Sequence, residues 1–222
     1  MPPAPPTLYA HPFSSYCQKV LVALWEKDIA FTYRHLEEPG AAEELARLWP
    51  MKRFPVLVDG TGRVVAESSI IIEYLDTLHP GEPRLLPQEA EAALEARFMD
   101  RFFDNHVMTP MQKPVFAALR GDPARTEEAL GEAREALGTA YAWLEERLRG
   151  RPWAAGEAFT MADCSAAPSL FYADWVHRID DEAFPRLRAY RSRLLERPSF
   201  ARAVEEARPY RTYFPLGAPD RD

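Results

Sequence analysis

The chain has 222 residues, 47% of them apolar and 27% charged, with a formal net charge of −7. That balance is that of an ordinary globular protein, and its sign argues against a nucleic-acid partner, which needs a basic face. No apolar run approaches the ~18 residues of a membrane span, and the N-terminus lacks the basic-then-apolar pattern of a signal peptide, so a cytoplasmic protein with no membrane partner is expected.

Pro2, Pro3, Pro5 and Pro6 read as a stiff lead-in. Thr7 to Ala10 is a short strand, and Ser14 to Lys27 is a helix with Val20, Leu21 and Leu24 at helical spacing and Ser15 available as its N-cap. Phe31 to Leu36 is rich in β-formers, and Ala41 to Trp49 is helical and ends against Pro50. Phe54-Pro55-Val56-Leu57-Val58 is a strand with proline ahead of its apolar run, so the proline marks a first residue, an edge or a bulge. Asp59-Gly60-Thr61-Gly62 supplies a turn, Val64-Val65 the return strand, and Glu67-Ser68-Ser69 the start of a helix through Leu78. An exposed edge at the Pro55 strand, beside a helix N-terminus with unpartnered amides, is a place to hold a small, extended, carboxylate-bearing peptide.

The resulting β-α-β-α-β-β-α order suits a four-stranded mixed sheet with helices on its faces. Beyond the joint from His79 to Pro87, which packs three prolines and a glycine into nine residues, no strand pattern appears. Glu89 to Val107 is helical, and Pro110 and Pro114 kink or interrupt it. Leu130, Leu137, Tyr141, Leu144 and Leu148 form an apolar stripe closed by Gly150. Thr160-Met161-Ala162-Asp163 has capping-box spacing, Pro185 suits a first helical turn, and Ser199 can cap the last helix. The expected organisation is residues 1–80, a linker at 81–87, and an all-helical 88–222.

Cys17 and Cys164 lie far apart and form no C-x-x-C pair. The five histidines, at 11, 35, 79, 106 and 177, show no i, i+4 pairing, so no metal is expected.

With this order in hand, the chain resembles the cytosolic glutathione S-transferase family along nearly its whole length. The matching residues are Phe54-Pro55-Val56-Leu57, Glu67-Ser68 opening into Ile71-Ile72-Glu73-Tyr74-Leu75, and Phe159-Thr160-Met161-Ala162-Asp163. Ser14-Ser15-Tyr16-Cys17-Gln18-Lys19-Val20 is similar to the serine-type zeta signature, with Tyr16 where that signature has cysteine and Gln18 where it has tryptophan. Pro110-Met111-Gln112 resembles a zeta proline-leucine-glutamine on the helix facing the active site.

The resemblance implies a thioredoxin-like N-terminal domain that binds glutathione as co-substrate, a helical-bundle domain shaping the pocket for a small electrophile, and a homodimer. It implies a cis peptide bond at Pro55 and backbone pairing between Val56 and the cysteinyl unit. It gives Glu67 the γ-glutamyl ammonium and Ser68 the carboxylate, and sets Lys52 or Arg53 near the glycyl carboxylate. Ser14 would promote the thiolate, with Ser15 its direct competitor and Tyr9 and Tyr16 weaker ones; Gln112 joins the site on the strength of the zeta match. Against each stands a plainer reading: Ser14 or Ser15 as a helix cap, Glu67-Ser68 as a helix start, Lys52 and Arg53 as solvated charges, and Cys17 as a buried apolar residue. His11 is a loop residue where the second substrate would approach, and Phe13, Phe116, Tyr172 and Trp175 are candidates for an apolar wall. The implied activity is glutathione transfer to an electrophile. A glutathione-dependent thiol–disulfide oxidoreductase through Cys17, an isomerase, and a non-catalytic interaction protein on the same fold are the alternatives.

Overall fold

Four strands and the helices between them follow the expected order in the computed structural model, which describes residues 4–81 and 83–222. The reading of Pro2 and Pro3 as a lead-in lies outside the described residues. β1 (Thr7–Ala10) leads into α1 (Ser15–Glu26), then β2 (Thr32–His35) and α2 (Ala41–Leu48). β3 (Val56–Val58), β4 (Val64–Ala66) and α3 (Ser68–Leu78) complete this half. The sheet order is β2-β1-β3-β4, with β1 and β2 parallel and the other two pairs antiparallel. This is the thioredoxin-like arrangement.

The β3–β4 turn is held by Asp59, whose Oδ1 accepts from the Thr61 N–H at 2.8 Å and the Arg63 N–H at 2.9 Å. Gly60 is needed there, because a Cβ on it would lie 2.3 Å from the Ala4 carbonyl oxygen. The Phe54–Pro55 peptide bond is cis.

One expectation fails here. β3 is not an edge strand, because Val56 pairs with Tyr9 on one side and Ala66 on the other. The sheet edges are β2 and β4, and Pro55 sits just ahead of the ladder, where its missing N–H costs no pairing.

After Ala66 the described residues contain no further strand, only an isolated bridge between Trp153 and Gly156. The helices are α4 (Ala90–Phe102), α5 (Thr109–Leu119), α6 (Pro123–Arg147), α7 (Met161–Val176), α8 (Pro185–Glu196) and α9 (Pro198–Ala207). Between α4 and α5 the chain stays helical through a π-helical segment, Phe103–Met108. Pro110 has no N–H to give to the carbonyl a turn below it. The wider turn lets the Thr109 N–H reach the Asp104 carbonyl, which also accepts from the Thr109 hydroxyl at 2.9 Å. The expected kink is therefore a widened turn rather than a break.

Thr160 and Asp163 form the anticipated capping box at α7, and Asp163 also accepts from the Ala154 N–H and the Tyr190 hydroxyl. Pro185 is the first residue of α8. Ser199 does not cap α9. Pro198 starts that helix two positions earlier with Arg197 as N-cap, and the Ser199 hydroxyl donates to Glu26 instead. The core is continuous across both halves, with α1 packed between α3 and the helical half's α7 and α9.

Candidate active site

A cleft of about 1400 Å³ lies between the loops of the sheet half and helices α4, α5 and α7. Ser14, Ser15, Lys52, Glu67, Ser68 and Gln112 all line it. Val56, fully buried, does not; Pro55, one residue ahead of it, does.

Ser14 has extended backbone at φ −86° and ψ 121° and is the N-cap of α1. Its Oγ accepts from the Cys17 N–H at 3.4 Å, a long bond that occupies a lone pair and leaves the hydroxyl proton to donate. The plainer reading of Ser14 as a cap is thus true, and it does not compete with donation to an anion in the cleft. Ser15, expected as the available cap, is instead the first helical residue and is 8% exposed.

The rivals are placed elsewhere. Tyr9 donates to Glu44 at 3.1 Å, on the α2 side, and is not on the cleft wall. Tyr16 lines the cleft, with its phenol pushed up to about 12, first by burial and then by the charge of Asp104. Cys17 is fully buried, and burial pushes its thiol up to about 12 against the opposing pull of the Ser14 hydroxyl and the His11 N–H. A thiol in that setting is almost wholly protonated at neutral pH and inaccessible.

At the other end of the cleft, Glu67 precedes α3 with φ +70° and ψ 118°, in the region that disfavours side chains. No side chain caps α3, and the helix has no acidic residue in its first turn. Its opening residues Ser68, Ser69 and Ile70 line the cleft with no side-chain cap on their amides, and Ser68 is 7% exposed. Lys52 also has positive φ, at +53°, and neither it nor Arg53 takes part in an ion pair among the described residues. Phe13, Phe116 and Tyr172 are on the wall, while Trp175 packs behind it against Phe214.

Several residues of this region were not legible one at a time. Lys19 is 1% exposed, with Nζ 2.6 Å from Asp100, 3.0 Å from Asp104 and 2.9 Å from the Ser69 hydroxyl. Arg101 pairs with both aspartates from the cleft side, so two cations meet two anions. The signal for this was the charged run one turn apart, Asp100-Arg101 at the end of α4 and Asp104 in the π-helical segment, which amphipathic spacing alone assigns to solvent.

His11, His35 and Glu37 converge so that one ligand atom from each lies within 4.8 Å of the others. His11 Nδ1 accepts from the Phe13 N–H at 3.1 Å, and His35 Nδ1 accepts from the Glu37 N–H at 3.2 Å. Each neutral ring therefore carries its proton on Nε2, whereas a metal-bound histidine donates from its other nitrogen. The trio instead ties the C-terminal segment to the cleft, with the Tyr213 hydroxyl donating to Glu37 at 3.0 Å and Tyr210 bonding His35 at 3.3 Å. Burial holds His11 below the usual histidine range, with Glu37 opposing and His35 adding to the shift.

Residues 8–83 match the model of the glutathione S-transferase N-terminal domain, and residues 123–193 match that of its C-terminal domain. A glutathione S-transferase of Methylobacterium radiotolerans, solved in complex with glutathione sulfonate, superposes with a TM-score of 0.77. The two are 30% identical, and the match covers 90% of this chain and 95% of that one. The FtsZ-localized protein A of Caulobacter vibrioides is 29% identical over 87% of this chain and 88% of its own length. A probable maleylacetoacetate isomerase of Vibrio cholerae is 29% identical over 91% and 96%.

Proposed function

The chain belongs to the cytosolic glutathione S-transferase family, and on that premise we propose that it is a serine-type glutathione transferase. It binds glutathione, keeps the sulfur as thiolate beside Ser14, and presents it to a small electrophile held against the apolar wall. The observation that carries this reading is that two helix starts face one cleft. One sets a hydroxyl on the cleft wall, and the other has amides without a side-chain cap.

A free thiol titrates near ~8.5, so little of it is anionic at neutral pH; lowering that by ~2 units needs roughly 2.7 kcal/mol. A hydroxyl hydrogen bond and the α1 N-terminus together supply that scale. Ser15, the first residue of α1, lines the cleft beside Ser14 and contributes to holding glutathione. Glu67 receives the γ-glutamyl ammonium, and Ser68 with the α3 amides receives its carboxylate. Lys52 or Arg53, both without an ion pair among the described residues, meets the glycyl carboxylate. The peptide backbone lies at Pro55, where Val56 contributes through its main chain alone. Gln112 faces the cleft from α5. That placement, with the Vibrio cholerae relative's name, supports glutathione-assisted isomerisation as a second reading. The oxidoreductase reading loses its support with the burial of Cys17.

A homodimer is supported by the exposed apolar side chains of Phe54, Ile70 and Phe98, 41%, 54% and 48% accessible, carried on the β3 lead-in, α3 and α4. No described helix is long and apolar enough to cross a membrane.

The deciding experiment titrates thiolate absorbance of bound glutathione against pH, beside turnover of a generic aromatic electrophile and of a cis-enoic diketo acid. A bound thiol well below its free pKa with turnover of the first supports transfer, and turnover of the second alone supports isomerisation. An unshifted thiol with neither turnover overturns both.

A further inference from the structure

Ser14 stands on a loop whose two preceding carbonyls are both held from behind. Gln18, fully buried on the first turns of α1, donates from Nε2 to the Pro12 carbonyl at 2.9 Å and to the Tyr172 hydroxyl at 3.0 Å. Tyr172, on α7, donates in turn to the Phe13 carbonyl at 3.1 Å. One phenol oxygen thus accepts one bond and gives another, closing a circuit between the loop, the helix that Ser14 caps, and the helical half. The Tyr172 ring also packs edge-on against Phe13, with centroids 5.4 Å apart. Burial pushes its phenol upward, so the O–H remains a donor.

The circuit has a defined direction. Gln18 Oε1 has no partner, so both bonds of its amide run through Nε2, and the flipped amide would set an oxygen against the Pro12 carbonyl. Further bonds lock the same turn: Ser14 N–H donates to the His11 carbonyl at 3.0 Å, and Gln18 N–H to the Ser14 carbonyl at 2.8 Å. The peptide planes on either side of Ser14 are therefore fixed, and with them the direction of its Cβ and hydroxyl.

We propose that Tyr172, acting with Gln18, is a positioning residue for Ser14, so that the thiol-activating geometry of the sheet half is set by a phenol of the helical half. This rests on Ser14 being the hydroxyl that promotes the thiolate. A displacement of about 1 Å at a reacting group is enough to cost a large part of its effect. Deleting the Tyr172 hydroxyl leaves the Phe13 carbonyl and one Gln18 N–H without their partners, and the loop shifts to find others. Glutathione's γ-glutamyl end, held at α3, is untouched by that shift.

The test measures the pKa of bound glutathione by ultraviolet titration, and its affinity by calorimetry, in Tyr172→Phe, Ser14→Ala and the double variant. Tyr172→Phe is expected to reduce the thiolate fraction at a fixed pH by about three- to tenfold, with affinity changed by less than about twofold. In the Ser14→Ala background the same substitution is expected to add nothing. An equal shift in both backgrounds, or no shift in Tyr172→Phe while Ser14→Ala raises the pKa, overturns the positioning role and leaves Ser14 standing. No shift in Ser14→Ala removes Ser14 itself, and the proposal with it. If Tyr172→Phe does not fold, Gln18→Leu is read by the same criteria, an unchanged thiol pKa again overturning the role.

Discussion

The two helix starts that meet in the cleft are built on opposite plans. At α1 the cap residue is relaxed, with extended backbone, and its side chain serves the helix by taking the Cys17 N–H. At α3 the cap residue is held at φ +70° and its side chain gives the helix nothing. Strain of that kind costs on the order of 1–3 kcal/mol and persists where the surrounding fold imposes it. The contrast teaches how the cleft divides its labour. In the proposed reading, the self-satisfied end serves one sulfur, while the strained end keeps a carboxylate and uncapped amides for an ammonium and a carboxylate that arrive together.

The largest effect is expected at the relaxed end. Ser14→Ala should lower turnover by roughly 10- to 1000-fold and raise the bound thiol's pKa, with glutathione affinity largely kept. Calorimetry and thiolate titration on the same variant separate the two; loss of affinity with an unchanged thiol would reverse the roles of the two ends. At the strained end, Glu67→Ala should weaken glutathione by about 2 kcal/mol, roughly thirtyfold in the dissociation constant, because the ammonium is left unpaired. Unchanged calorimetric affinity would remove Glu67 from the site. Glu67→Gly sharpens the point. It should bind as poorly as the alanine variant yet be more stable by about 1 kcal/mol in urea unfolding, since glycine tolerates positive φ. Equal stability of the two variants would show that the backbone there is not strained. The smallest effect belongs to Cys17→Ala, which should retain most activity; its loss alone would revive a redox role for the thiol.

How legible all this was in the chain depended on distance. The strand and helix order followed from local pattern, since turn residues, caps and apolar period act within a few positions, as at Asp59-Gly60 and Thr160–Asp163. Glu67-Ser68 stood out for the same reason, whereas Ser14-Ser15 read locally as a helix cap and gained a role at sulfur only through the family resemblance. The edge character expected of β3 was wrong because strand order is a property of the whole sheet, and proline before a strand is equally content at the end of a central one. Ser199 lost the cap to Arg197 through a proline that starts the helix two residues sooner. The circuit through Gln18 and Tyr172 joins residues 154 positions apart, and the His11–Glu37–Tyr213 tie likewise spans the chain. Such pairs leave no periodic trace.

Lys19 carries a consequence for how the chain can be cut. Of its three partners, only Ser69 belongs to the sheet half; both carboxylates come from the helical half. A fragment ending at the linker would lose both counter-charges and would bare to water the apolar face of α1 that packs on α7 and α9. Severed domains of this protein should therefore be insoluble or partly melted when expressed alone, and the intact chain should lose its two halves in a single cooperative transition.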